Sequence, residues 1–264
     1  MFDAATPVPS HAHPTADTGT GFLHSVETAG AVDGPGLRFI FFTSGCLFRC
    51  LYCHNPDTWK LHNGRAVTLD EALAEVRPYA GFLRFAGGVT ISGGEPMLQA
   101  GFVGALTRRI KTELRLHVAL DTQGFLHDTL DDAWFDPIDL VLLDIKHSDP
   151  GQYRRLTGQE LQPTLDFAQR LVRLGKRMWI RYVLVPGWTD GDDDILKLAD
   201  FLASLGPAVD RVEVLPFHQM GAHKWQALGL TYELADTPTP TQAETARAVA
   251  LFAARGLPVP DASH

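Results

Sequence analysis

From residue 37 onward, short apolar runs rich in β-branched residues alternate with segments of helical period, and this alternation constrains the fold more than any other feature of the chain. The strand-like runs lie at residues 37–43, 89–92, 117–121, 140–145, 179–185 and 211–215. Several are near-continuous in Val, Ile and Leu, as strands covered on both faces are. Helical patterns fall at 69–77, 101–111, 164–174, 193–205 and 242–255. Thr68 with Glu71 gives the first of these a capping-box start, and Gly175 and Gly206 stand where C-terminal caps belong. Six strands with intervening crossovers predict a parallel sheet with right-handed connections. Eight such units would close a barrel, so six predict an α/β fold of the partial (β/α)6 TIM type.

In barrels of this kind the chemistry collects at the carboxyl ends of the strands. Polar residues gather there in this chain. Cys46 follows the first strand, Gly93-Gly94-Glu95 the second, Asp121-Thr122 the third, Asp144 and Lys146 the fourth, and His218 the sixth. Arg181 lies inside the fifth strand, where a buried charge needs a partner. The two carboxylates Asp121 and Asp144, on neighbouring strand ends, repel unless a cation or donor lies between them. Hard oxygen ligands of this type suit a monovalent cation or Mg²⁺, and Lys146 would help neutralise the pair. The alternative is a purely structural Asp–Lys ion pair.

The chain has only three cysteines, Cys46, Cys50 and Cys53, all within eight residues. So crowded an odd number is no disulfide framework. Three thiolates can fill three corners of a cubane iron–sulfur cluster and leave the fourth iron open, since full protein ligation takes four. A zinc site completed by His54 is the alternative from spacing alone. The net charge of -8 excludes an electrostatic grip on nucleic acid. No run approaches the roughly 20 apolar residues that span a bilayer. Residues 1–21 lack the charged and apolar regions of a signal peptide, so a cytoplasmic protein is expected. Residues 1–20, rich in Pro, Thr, Ala and Ser, read as a mobile tail, with one domain over 21–264.

Cys46-x-x-x-Cys50-x-Tyr52-Cys53 resembles the signature of the radical S-adenosylmethionine (SAM) superfamily, and Ser92-Gly93-Gly94-Glu95-Pro96 is similar to its glycine-rich motif. The resemblance narrows to the activases of glycyl-radical enzymes. It runs through Ala31-Val32-Asp33-Gly34-Pro35-Gly36, Asp57-Thr58-Trp59, residues 179–188 and His218-x-x-Gly221-x-His223-Lys224-Trp225, and is closest to the activases of pyruvate formate-lyase. Gln123, where Asn is expected, and Pro96, where Ala is common, are its departures.

The resemblance implies a radical SAM fold holding one [4Fe–4S] cluster on Cys46, Cys50 and Cys53. It implies SAM bound among Tyr52, Cys53, His54, Gly93, Gly94, Glu95, Asp144, Ile145, Lys146, Arg181 and His218. A monovalent cation would sit at Asp121, Thr122, the Leu142 carbonyl and Asp144, and Asp33 would approach the substrate glycine. The expected partner is pyruvate formate-lyase, offering its glycine loop to a monomeric activase. With cysteines for one cluster only, electrons are expected from flavodoxin or ferredoxin. The competing readings are a radical SAM enzyme acting on a small molecule and a zinc-binding interaction module.

Overall fold

The computed structural model of the chain describes residues 19–260. Its sheet has eight strands: β1 (Thr20–Gly30), β2 (Leu37–Thr43), β3 (Arg65–Thr68), β4 (Gly87–Gly93), β5 (Val118–Thr122), β6 (Leu140–Asp144), β7 (Arg177–Leu184) and β8 (Val209–Pro216), in the order β3-β1-β2-β4-β5-β6-β7-β8. The six expected strands are β2 and β4 to β8, and they pair in parallel. β3 and β8 remain the two ends of the sheet, so the barrel is partial and open. β1 and β3 pair antiparallel at one edge and are additions to the expected set. Thr20, expected in the tail, begins β1 opposite Thr68; the rest of the expected tail, up to residue 18, lies outside the described residues.

Among the described residues, eight α-helices cover the strands: α1 (Leu69–Val76), α2 (Ala80–Ala86), α3 (Ala100–Arg109), α4 (Pro150–Thr157), α5 (Gln162–Arg173), α6 (Asp192–Ser204), α7 (Ala222–Ala227) and α8 (Gln242–Ala253). The Thr68–Glu71 capping box opens α1. Gly175 and Gly206 take positive φ just beyond α5 and α6, as C-terminal caps do. In α5 the buried Thr164, Phe167, Ala168 and Leu171 follow the i, i+3, i+4, i+7 stripe and face the sheet. One apolar cluster runs from Leu23 to Leu257. No helix among the described residues is long and apolar enough to cross a membrane.

A guanidinium sits inside the fold near β2. Arg38, on β2, is fully buried. Its guanidinium donates to Thr90 Oγ1 at 3.0 Å and to the Val89 carbonyl at 2.5 Å, and meets His117 Nδ1 at 3.2 Å. The Thr90 hydroxyl in turn donates to the Asp33 carbonyl at 2.6 Å. A buried charge is tolerable only when bonded in this way. The consequence is that the loop between β1 and β2 is tied to the interior and carries Asp33 inward.

Candidate functional site

At the carboxyl ends of the parallel strands lies a cavity of about 510 Å³ whose walls include Asp33, Cys46, Cys50, Tyr52, Cys53 and His54. Gly93, Gly94, Asp121, Asp144, Lys146, Arg181 and His218 complete the expected residues that reach it. Glu95, Thr122 and Ile145 do not line it, although the sequence placed them in the cofactor and cation sites.

The cysteine loop leaves β2 and is pinned by backbone bonds on both sides. The Arg49 and Leu51 amides donate to the Thr157 and Leu156 carbonyls at the end of α4, at 2.8 and 3.0 Å. The glycine motif packs beneath the loop. Gly94 N–H donates to the Thr43 carbonyl at 2.9 Å and Glu95 N–H to the Gly45 carbonyl at 2.8 Å. A Cβ on Gly94 would overlap the Gly45 carbonyl, and Gly93 has φ +106°, so only glycine lets the two backbones approach this closely. Burial raises all three thiols, with Cys50 pushed up to about 12. They are therefore neutral at pH 7 until a metal claims them, and taking up a cluster must release protons.

Two ion pairs line the same cavity as the cysteines. Lys146 Nζ lies 2.9 Å from Asp144 Oδ2 and 5.7 Å from the centre of the Tyr52 ring. Burial works against the Lys146 charge, but Asp144 and Cys50 outweigh it and hold its pKa above the usual value. Arg181 Nη1 donates to Asp121 Oδ2 at 3.1 Å and lies 3.7 Å from Asp33 Oδ1. Burial lifts Asp121 to about 6 even against Arg181. His54 Nε2 bonds the His218 carbonyl at 3.1 Å, with the two rings 4.2 Å apart.

Two expectations about side chains are corrected here. Glu95 turns away from the cavity to accept from Thr122 Oγ1 at 2.7 Å, Met97 N–H at 3.0 Å and Gln123 N–H at 3.1 Å. Its carboxylate thus supports the motif from behind, where the sequence placed it among the SAM-binding residues. Thr122 gives its hydroxyl to that carboxylate and is fully buried, so its side chain does not face a cation between Asp121 and Asp144. Lys146 stands beside Asp144 and Arg181 beside Asp121, while Asp121 Oδ1 has no partner within the protein. Among the described residues, no three Cys, His, Asp or Glu side chains close on a single-ion point.

Burial drives Glu95 up from 4.5 to about 7. A carboxyl with its folded pKa above the unfolded one stabilises the fold in its protonated form, and that contribution is lost as pH rises through 7. At pH 8 the ionised group costs about 3 kcal/mol relative to acid pH. Glu95→Gln is therefore expected to gain on the wild type as pH rises from 5 to 8, read by urea unfolding of the apoprotein. A gap that stays constant with pH would contradict this ionisation.

Five buried polar atoms of the cavity-lining residues have no partner within the protein: Tyr52 Oη, Asp121 Oδ1, Gln123 Oε1, Arg181 Nε and His218 Nδ1. Native interiors rarely leave such groups unmade, and together with three thiols they describe a cavity shaped for a polar ligand beside a thiolate-bound metal group. This donor set fits the expected cluster and SAM. Trp59, which also lines the cavity, was quoted in the sequence only as part of the resemblance. Arg38 was given no role, although a charge within an apolar strand, the signal used for Arg181, marks it equally.

The sequence profile described as the Radical SAM superfamily matches residues 40–202. A pyruvate formate-lyase-activating enzyme of Staphylococcus aureus (strain USA300) is 50% identical over 228 residues, 83% of this chain and 90% of its own length. Among solved structures, a domain of a pyruvate-formate lyase-activating enzyme from Bacteroides vulgatus superposes with TM-score 0.56 at 24% identity, over 66% of this chain and 98% of that one. Streptococcus suis SuiB bound to S-adenosylmethionine superposes with TM-score 0.64 at 16% identity, over 86% of this chain and 50% of that one. At these identities the two structures speak for the fold alone.

Proposed function

The chain belongs to the radical SAM superfamily and, within it, to the pyruvate formate-lyase-activating enzymes, and on that premise we propose how its residues divide the work of activation. The reaction installs a glycyl radical in pyruvate formate-lyase. When bound, the [4Fe–4S] cluster and SAM supply its chemistry, one electron breaking a sulfonium C–S bond to give the 5′-deoxyadenosyl radical that takes hydrogen from a glycine Cα.

The observation that carries the assignment of roles is the convergence of three thiols and five unpartnered buried polar atoms on one cavity. Cys46, Cys50 and Cys53 would hold the cluster as thiolates. Lys146, held by Asp144, neutralises charge beside Cys50. Tyr52, His54 and His218 face SAM from the cysteine side, and the Gly93–Gly94 backbone faces it from β4. Glu95, Thr122 and Ile145 support these walls from behind. Arg181 joins Asp33 to Asp121 and so orients the carboxylate that meets the incoming glycine loop. Fixing groups in advance of binding is the protein's share of such catalysis.

A monovalent cation by Asp121 and Asp144 is supported by the free Asp121 Oδ1, with Thr122 contributing through its backbone only. Flavodoxin or ferredoxin is the proposed electron donor, because the chain's cysteines suffice for one cluster. A reducing cytoplasm suits three free thiols. A monomer is proposed, with the one domain expected over 21–264 extended by Thr20 at the start of β1.

Anaerobic incubation of the reconstituted protein with dithionite, SAM and pyruvate formate-lyase should give a glycyl doublet in the electron paramagnetic resonance (EPR) spectrum and one 5′-deoxyadenosine per radical. No doublet, with 5′-deoxyadenosine formed on a small molecule instead, would refute the assignment of substrate.

A further inference from the structure

Thr90 and Arg38 take no part in the roles assigned above, yet together they hold the loop that brings Asp33 into the cavity wall. β2 and β4 pair in parallel with Ile40 opposite Thr90, so Arg38 and Thr90 are diagonal neighbours, and both are fully buried. The Thr90 hydroxyl accepts from Arg38 Nε at 3.0 Å and donates to the Asp33 carbonyl at 2.6 Å. With the guanidinium on one side of the oxygen, the hydroxyl hydrogen points to the loop. Arg38 Nη1 also reaches the Pro35 carbonyl at 3.4 Å. Between those two carbonyls Gly34 has φ +123°, and a Cβ there would stand 3.4 Å from Arg38 Nε. The loop therefore lies directly on the guanidinium, in a conformation that side chains disfavour. The Asp33 carboxylate is held at longer range, with Oδ1 3.7 Å from Arg181 Nη1. The short bond to Asp33 is thus made at its backbone.

We propose that Thr90 is a positioning residue for radical transfer: its hydroxyl, oriented by the buried Arg38, fixes the Asp33 backbone so that the carboxylate meets the partner's glycine loop in register with the cavity. The inference rests on the reading that Asp33 meets that loop. A hydroxyl that accepts from a cation is polarised and donates more strongly, and the effect is greatest away from water. Both side chains are fully buried, so losing the hydroxyl leaves the Asp33 carbonyl and Arg38 Nε without the bond they share. Hydrogen transfer needs reacting atoms about 3–3.5 Å apart, and a misplacement of about 1 Å can cost about 100-fold. None of the residues assigned to the cluster or to SAM lies on residues 31–36. Releasing this anchor therefore impairs transfer to the glycine while leaving the cluster and SAM in place.

Thr90→Val keeps the side-chain shape and removes the hydroxyl. Reconstituted and incubated anaerobically with dithionite, SAM and pyruvate formate-lyase, it should form about tenfold less glycyl radical per 5′-deoxyadenosine than the wild type. The surplus 5′-deoxyadenosine then takes its hydrogen from the buffer. Iron content and SAM affinity should be unchanged, and Thr90→Ser, which restores the donor, should recover the wild-type ratio. A role in packing alone would lower stability without moving that ratio. Thr90→Val with a full cluster and the wild-type ratio would overturn the inference, as would a Thr90→Ser protein equally uncoupled. If Thr90→Val takes up no cluster, Thr90→Ala is held to the same ratio. Asp33→Ala tells the two readings apart. If it transfers the radical as the wild type does, the reading of Asp33 beneath the inference fails; if it uncouples while Thr90→Val does not, the anchor alone fails.

Discussion

Cys50→Ser is expected to remain folded, to retain less than one tenth of the wild-type iron after anaerobic reconstitution, and to release no measurable 5′-deoxyadenosine from SAM. Cys50 is a buried residue of the cavity wall, and burial raises its thiol to about 12 in the free protein. A thiol of that kind binds iron only by giving up its proton, and a serine hydroxyl, far less acidic and a harder donor, does not replace it. With two cysteines left, half the ligands of a closed site are missing and a cubane is not retained. The fold should survive because the loop is held by backbone bonds at Arg49 and Leu51, not by the sulfur. Iron and sulfide analysis with the absorbance of the brown protein checks this. Full iron content in Cys50→Ser would mean that the cluster hangs on other residues.

Arg181→Met is expected to cost stability and turnover together. Arg181 bonds Asp121 and stands beside Asp33, with its side chain 14% exposed. Its removal leaves carboxylates buried without a counter-charge, a loss of about 3–5 kcal/mol for a broken buried pair. The sign of the pH dependence follows. Asp121 already lies at about 6, above its unfolded value of 3.8, because burial outweighs Arg181. Without the guanidinium it rises further. Protonation then rescues the fold, so the deficit should be largest at pH 8 and shrink as pH falls toward 5.5. Urea unfolding of the apoprotein at the two pH values measures this. At neutral pH the variant should also cleave SAM with little transfer of the radical to the partner, because Asp33 is no longer held. A deficit independent of pH would show that Arg181 acts through packing alone.

The six parallel strands were legible because burial on both faces writes them as apolar runs, as in Val89-Thr90-Ile91 of β4, where all three residues are buried. β1 is half exposed and β3 only four residues long, so neither carries such a run. α4 and α7 are short; α4 depends on the Asp149 cap to Gln152 N–H and on Gly158 at positive φ, local signals without an apolar stripe. At the site, the cysteines, Asp33, Lys146 and Arg181 could be placed from strand ends and motifs. The orientation of Glu95 could not, because the Thr122 hydroxyl that turns it lies 27 residues away. For the same reason the sequence hid the bond from Thr90 to the Asp33 carbonyl, which joins residues 57 apart in the chain and close only in the folded barrel.

The central claim is that three cysteines hold a cluster with one iron open to SAM. It is tested most directly by EPR of the reconstituted, dithionite-reduced protein before and after SAM is added. A reduced [4Fe–4S] signal whose g-values shift on adding SAM is expected, with neither signal nor shift in Cys50→Ser. A reduced-cluster spectrum that SAM leaves unchanged, or a protein carrying zinc without iron and sulfide, would contradict it.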